Sequence, residues 1–395
     1  MIVEGTHVHA SFHPHEQTVD QTQTTAWYVW CSAIAVTATT GGLFWDISWH
    51  LSIGRDTFWT PAHLAIHFGA IVAGVSSAYL ILATTLGKDA ARRGSSVKMW
   101  GFYGPLGAFV SLWGGLTMLT SAPFDNWWHN AFGLDVQILS PPHVVLLLGI
   151  FTVGLGGLIL IVAEMNRASG DVRGKLNAVF LYAGCMLTFL LLMLIWEYTD
   201  QNLMHSAIFY RAVALAVPPI LVGIARASGY HWGATKVTVI YFILWLLTLW
   251  LLPLVPAEAK LGPVYTRITH LVPLRFPLLL FAGAAALDYL LDKTALRNKW
   301  LQAAVAGTGF LAALILVQWP MGSFLISPRA ENWVFGTNYY PYMMPPSAYK
   351  FAHSFQPHEA TRAQFWVGMG YALLAAVLTT RVGLALGSWM HRIKR

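Results

Sequence analysis

Apolar runs of about 20 residues recur along this chain, separated by short polar breaks. A run of that length crosses the roughly 30 Å hydrocarbon core of a bilayer as a helix. In lipid, every backbone N–H and C=O must be satisfied within its own segment, so helices are the default. The expected fold class is therefore all-α, a polytopic transmembrane helical bundle. Ten runs, near 25–45, 60–87, 99–120, 142–164, 175–197, 206–226, 236–254, 270–290, 300–318 and 363–388, predict about ten spans. Composition agrees: 56% of the residues are hydrophobic and only 10% are charged, far from the balance of a soluble globule. The formal charge of +7 is spread over short loops and forms no stripe, which argues against nucleic acid as a partner and leaves the lipid bilayer. Cys31 and Cys185 lie far apart in apolar runs and form no disulfide framework.

Basic residues gather in alternate loops, as in Lys88–Lys98, Arg167–Lys175, Lys293–Lys299 and Arg392–Arg395. The positive-inside rule then predicts cytoplasmic termini, with the cytoplasmic membrane of a bacterium as the location. Residues 1–24 form a polar tail with His7, His9, His13 and His15, without the basic start and apolar core of a signal peptide. Residues 25–395 read as one transmembrane domain. The longest polar connection, about 320–361, contains Met343-Met344 and six prolines and is expected to cover the outer face.

One polar island interrupts the apolar pattern at 45–67, and a second copy of it begins at Asp125. Asp46, Trp49, His50, Gly54, Asp56, Pro61 and His63 match Asp125, Trp128, His129, Gly133, Asp135, Pro141 and His143. Seven matches at nearly fixed spacing define an internal repeat, with copies near 25–87 and 99–164. The 79-residue period suits two spans and a hairpin, so the copies are parallel and both islands lie toward the outer face. An acid and a histidine four apart share one helix face. A second histidine just after a proline opens the next helix. Each copy thus offers one carboxylate and two imidazoles from neighbouring antiparallel helices, a donor set for copper, zinc or iron. The candidate ligands are Asp46, His50 and His63, and Asp125, His129 and His143. Arg55, Asp56, His67 and Asp135 are candidate supports that orient them. Ionisable groups within membrane segments default to function. Haem held between His63 and His143 is an alternative, which the carboxylates disfavour; a quinone-linked redox subunit is another. The His-rich tail and the Met pair also suit a non-enzymatic copper-handling or oxidase-assembly role.

Over about residues 25–165 the chain resembles the C subunit of the copper membrane monooxygenases, the family of particulate methane and ammonia monooxygenases. The resemblance rests on Asp46-x3-His50-x12-His63 and on the run Arg55-Asp56-Thr57-x2-Thr60-Pro61-x-His63. The family's second site has the form Asn-x3-His-x13-His. Asp125-x3-His129-x13-His143 keeps that spacing with Asp in place of Asn. The resemblance implies copper at both sets, partner membrane subunits or a homo-oligomer, and oxygenation of a small apolar substrate. The C-terminal spans have no counterpart in it.

Overall fold

A computed structural model of the chain describes residues 25–54, 59–133, 140–294 and 298–394. The chain is all-helical apart from a short β-hairpin, Val97–Met99 with Phe102–Gly104. The main helices are α1 (Trp27–Ser52), α2 (Pro61–Leu86), α3 (Leu106–Phe132), α4 (Pro141–Met165), α5 (Gly170–Leu194), α6 (Ala207–Ser228), α7 (Gly233–Leu251), α8 (Leu280–Lys293), α9 (Lys299–Leu325) and α10 (Arg362–Met390).

A helix lies in each of the ten apolar runs, and seven helical segments are long and apolar enough to cross a membrane: α2, α4, α5, α6, α7 with its 3-10 extension, α9 and α10. The chain is thus an integral membrane protein. The other three depart from that standard for identifiable reasons. Helices α1 and α3 are long enough, but Trp, Thr, Ser and Gly lower the hydropathy of their apolar stretches, even apart from the C-terminal turns that carry the two acid–histidine pairs. Helix α8 spans only 14 residues. The residues before it, 271–279, are non-helical, because Pro273 and Pro277 lack the N–H that helix continuation requires. Non-helical backbone at membrane depth needs partners from the protein itself. Leu278 N–H donates to Tyr241 Oη at 3.1 Å, Leu279 N–H donates to Gln318 Oε1 at 2.9 Å, and Arg275 C=O accepts from Trp245 Nε1 at 2.8 Å.

Helix α5 is the most enclosed, with 83% of its apolar window buried. Helices α1, α4, α6 and α7 pack around it, and α10 lies along α6. Phe44 of α1 meets Phe189 of α5 and Trp245 of α7, with ring centroids 5.1 and 4.9 Å away. Two residues on, Asp46 points roughly 200° around the helix from Phe44, away from that aromatic cluster. This is how core packing sets the direction of a site residue.

Helices α3 and α4 approach closely through small residues, the usual device for helix contact in lipid. A side chain at Gly114 would place its Cβ 2.6 Å from Val153 N, and one at Gly107 would lie 2.5 Å from Gly156 O. Gly114→Val therefore forces the two helices apart. It is expected to destabilise the protein by about 1–3 kcal/mol, the usual cost of overpacking. Thermal unfolding in detergent, compared with Gly174→Val at an open position, measures it.

Candidate metal centre

Two groups of side chains come together where α1 meets α2 and where α3 meets α4. Asp46, His50 and His63 form the first; Asp125, His129 and His143 form the second. Within each group one donor atom per residue lies within 4.8 Å of the others. The two groups are neighbours. Asp46 is in electrostatic range of His143, and His67, one turn beyond His63, is in range of both His63 and Asp125. His67 thus stands between the groups rather than within either ligand set. Arg55, Asp56 and Asp135 lie outside the described residues, as does the N-terminal tail.

Local sequence explains each position. Thr60 caps α2 by accepting from His63 N–H at 3.2 Å, and Pro61 occupies the first helical position. His63 is therefore the third residue of α2. Ser140, Pro141 and His143 hold the same positions at the start of α4, although the Ser140 hydroxyl makes no capping hydrogen bond. Both histidines sit at the positive end of a helix dipole, where a facing carboxylate is favoured. The acids come from the last two turns of α1 and α3, four residues before His50 and His129.

The distances suit a shared cation. His63 Nε2 is 3.1 Å from Asp46 Oδ1, and His50 Nε2 is 3.7 Å from Asp46 Oδ2. His129 Nε2 and His143 Nε2 each lie 3.3 Å from Asp125 Oδ1. Metal–ligand bonds of about 2.0–2.2 Å at tetrahedral angles put neighbouring donors about 3.3–3.6 Å apart. A direct hydrogen bond between imidazolium and carboxylate is shorter, about 2.7–2.9 Å.

His129 supplies a further test. Its Nδ1 lies 2.9 Å from Gly133 C=O, which only accepts, so Nδ1 carries a proton. In the neutral ring Nε2 is then a lone pair facing a carboxylate oxygen. That lone pair is free to face a cation, whereas a protonated ring would instead donate Nε2–H to the Asp125 carboxylate at this distance. The backbone carbonyl thereby fixes the tautomer that metal coordination uses. Gly133 has φ +95°, a conformation that favours glycine. Sequence reading matched Gly133 to Gly54 but gave neither glycine a role in the site.

The groups differ in exposure. The His129 and Asp125 side chains are 4% and 8% exposed, whereas His50 is 40% exposed, which leaves the first group open at one side. Trp128, next to His129 in the chain, packs on Phe132 at 4.5 Å. The matched indoles Trp49 and Trp128 both have buried N–H groups with no hydrogen-bond partner among the described residues.

Distant loops hold the end of α1. Ser48 Oγ donates to Val272 C=O at 2.7 Å, and Val272 N–H donates to Ser52 Oγ at 2.6 Å. Leu51 C=O accepts from Tyr342 N–H, and Ile53 C=O accepts from Lys260 N–H. Carbonyls that a helix end leaves without intrahelical partners are thus satisfied from residues 260–342. No local signal in the sequence marks Ser48 and Ser52 for this part.

No protein-family model, curated protein or solved structure matches the chain. Fold and site define its class directly: an all-helical integral membrane protein with two neighbouring His/Asp groups whose geometry suits metal ions.

Gly133→Val strains the turn that presents the carbonyl to His129. It is expected to weaken metal binding at the second group about 10–100-fold, as loss of an orienting partner does. The first group keeps its affinity. Competition against a chelator of known affinity separates the two sites. Ser48→Ala removes one clamp on α1 and is expected to lower stability by about 1 kcal/mol in chemical unfolding.

Proposed function

We propose that the chain is a copper-binding membrane subunit similar to the C subunit of the copper membrane monooxygenases. In this reading it works inside a larger complex with partner membrane subunits, and its substrate is a small apolar molecule. The observation that carries it is the pair of acid–His–His groups with donor atoms within 4.8 Å, built on the spacing that the resemblance names. The reading takes α1–α2 and α3–α4 as parallel copies of one unit in a ten-span bundle with cytoplasmic termini. Both metal groups then face the outer side. The matched third-position histidines of α2 and α4 support the repeat.

Asp46, His50 and His63 would hold one ion, and Asp125, His129 and His143 another. Copper supplies redox chemistry with O2 for hydroxylation. The chain's own residues do the rest. The carboxylates offset the cation's charge in a low-dielectric setting. Gly133 C=O keeps His129 in the coordinating tautomer, and burial keeps water from His129 and Asp125. The exposed edge of His50 leaves the first group accessible.

A second reading is copper handling without oxygenation. It draws on the exposed His50 and on Met343, which is half exposed and adjoins Tyr342, the residue hydrogen-bonded to the end of α1. Thioether ligands suit Cu(I).

Purified protein is expected to retain copper with a nitrogen-rich EPR signature. His50→Ala and His129→Ala should each lose about one ion, and the double variant both. Unchanged copper in both variants would falsify the assignment. Uptake of O2 in the presence of a supplied chemical reductant and a small alkane, with the alcohol formed, supports oxygenation, whereas copper transfer to an acceptor without O2 uptake supports the second reading. Protons and metal compete for the same imidazole nitrogens, so affinity should fall as pH drops through the histidine range near about 6.5. Metal titrations at several pH values check this.

A further inference from the structure

Arg381 is a partly buried residue of α10. Its guanidinium sits over the Trp300 ring, with Cζ 5.4 Å from the centroid. It makes no hydrogen bond or ion pair among the described residues, and its Nε is buried without a partner. Trp300 is the second residue of α9, so Arg381 stands level with that helix's first turn. Lys299, Arg392 and Lys394 belong to the same end of α9 and α10.

Along α10, with Trp300 of α9 at one side, lies an open groove of about 500 Å³. Leu378, Val382, Leu386, Trp300 and Trp389 wall it, and all five are more than a third exposed. The volume lies within the roughly 300–1,000 Å³ of small-ligand sites. An arginine facing hydrocarbon is expensive unless it is paired or reaches the headgroup region. Arginine forms a two-pronged hydrogen bond with phosphate oxygens. The groove beside it takes only apolar matter.

We propose that this groove is a binding site for one anionic phospholipid, with the phosphate on Arg381 and an acyl chain between Trp300, Val382 and Trp389. The two halves of the site demand one molecule with both properties. A soluble phosphate would answer only the guanidinium, and a neutral acyl chain only the apolar walls. Basic pockets between helices at one membrane face have the same chemistry.

The test uses the full chain reconstituted with vesicles of phosphatidylglycerol or of phosphatidylcholine, followed by extraction into detergent and native mass spectrometry. The wild type is expected to retain phosphatidylglycerol in preference to phosphatidylcholine. Arg381→Gln should lower that retention about tenfold, the loss of one charged hydrogen-bond pair. Arg381→Lys should fall between, and Arg392→Gln at the same end should change little. Ala385→Trp fills the groove and should expel the lipid while helix content by circular dichroism stays the same. Equal retention of the two lipids overturns the proposal. So does retention that Arg381→Gln leaves unchanged. Displacement of the lipid by inorganic phosphate assigns the site to a free anion, and a Trp389→Cys crosslink between two copies of the chain assigns the groove to a dimer contact; either result also overturns it.

Discussion

A carboxylate can lie between two imidazoles inside a helix bundle only if something compensates its charge and the helices come close enough to bring the three together. Both conditions govern this fold. Close approach comes from small residues such as Gly107, Gly114 and Gly156 on α3 and α4, where a side chain would collide with the neighbouring backbone. The direction of each donor comes from packing elsewhere on its helix, as Phe44 directs Asp46. Compensation comes from the helix starts that present His63 and His143, and the donor geometry also suits a cation. Change the spacing of α3 and α4, and Asp125 loses its place between His129 and His143.

Much of this was legible in the sequence because the signals are local. Residues four apart share a helix face, so Asp46 with His50 and Asp125 with His129 read directly. Proline just before a histidine marks a helix start, so Pro61 with His63 and Pro141 with His143 read equally well. Apolar runs made the all-helical character legible, since lipid allows few other solutions. The same runs were less informative where two prolines interrupt them: the stretch at 271–279 is as apolar as a span and yet is not helical.

What stayed illegible was whatever joins distant parts of the chain. Gly133 C=O acts on His129 only through a turn with positive φ, and sequence shows the glycine but not where its carbonyl points. Ser48 and Ser52 look like ordinary small residues on a membrane helix, and their partner, Val272, is more than 200 residues away. The neighbourhood of the two metal groups, with His67 between them, depends on how α2 lies against α3, which no spacing rule fixes.

The clamp on α1 gives the chain an order of completion. All three donors of the first group have been synthesised by residue 63, and those of the second by residue 143. Yet the last turn of α1 is anchored by Val272, Lys260 and Tyr342, from loops made much later. The second group can close while the ribosome is still extending the chain. The hydrogen bonds that hold the end of the helix bearing Asp46 and His50 can form only once residues 260–342 exist, so the earliest part of the site leans on one of the latest parts of the chain.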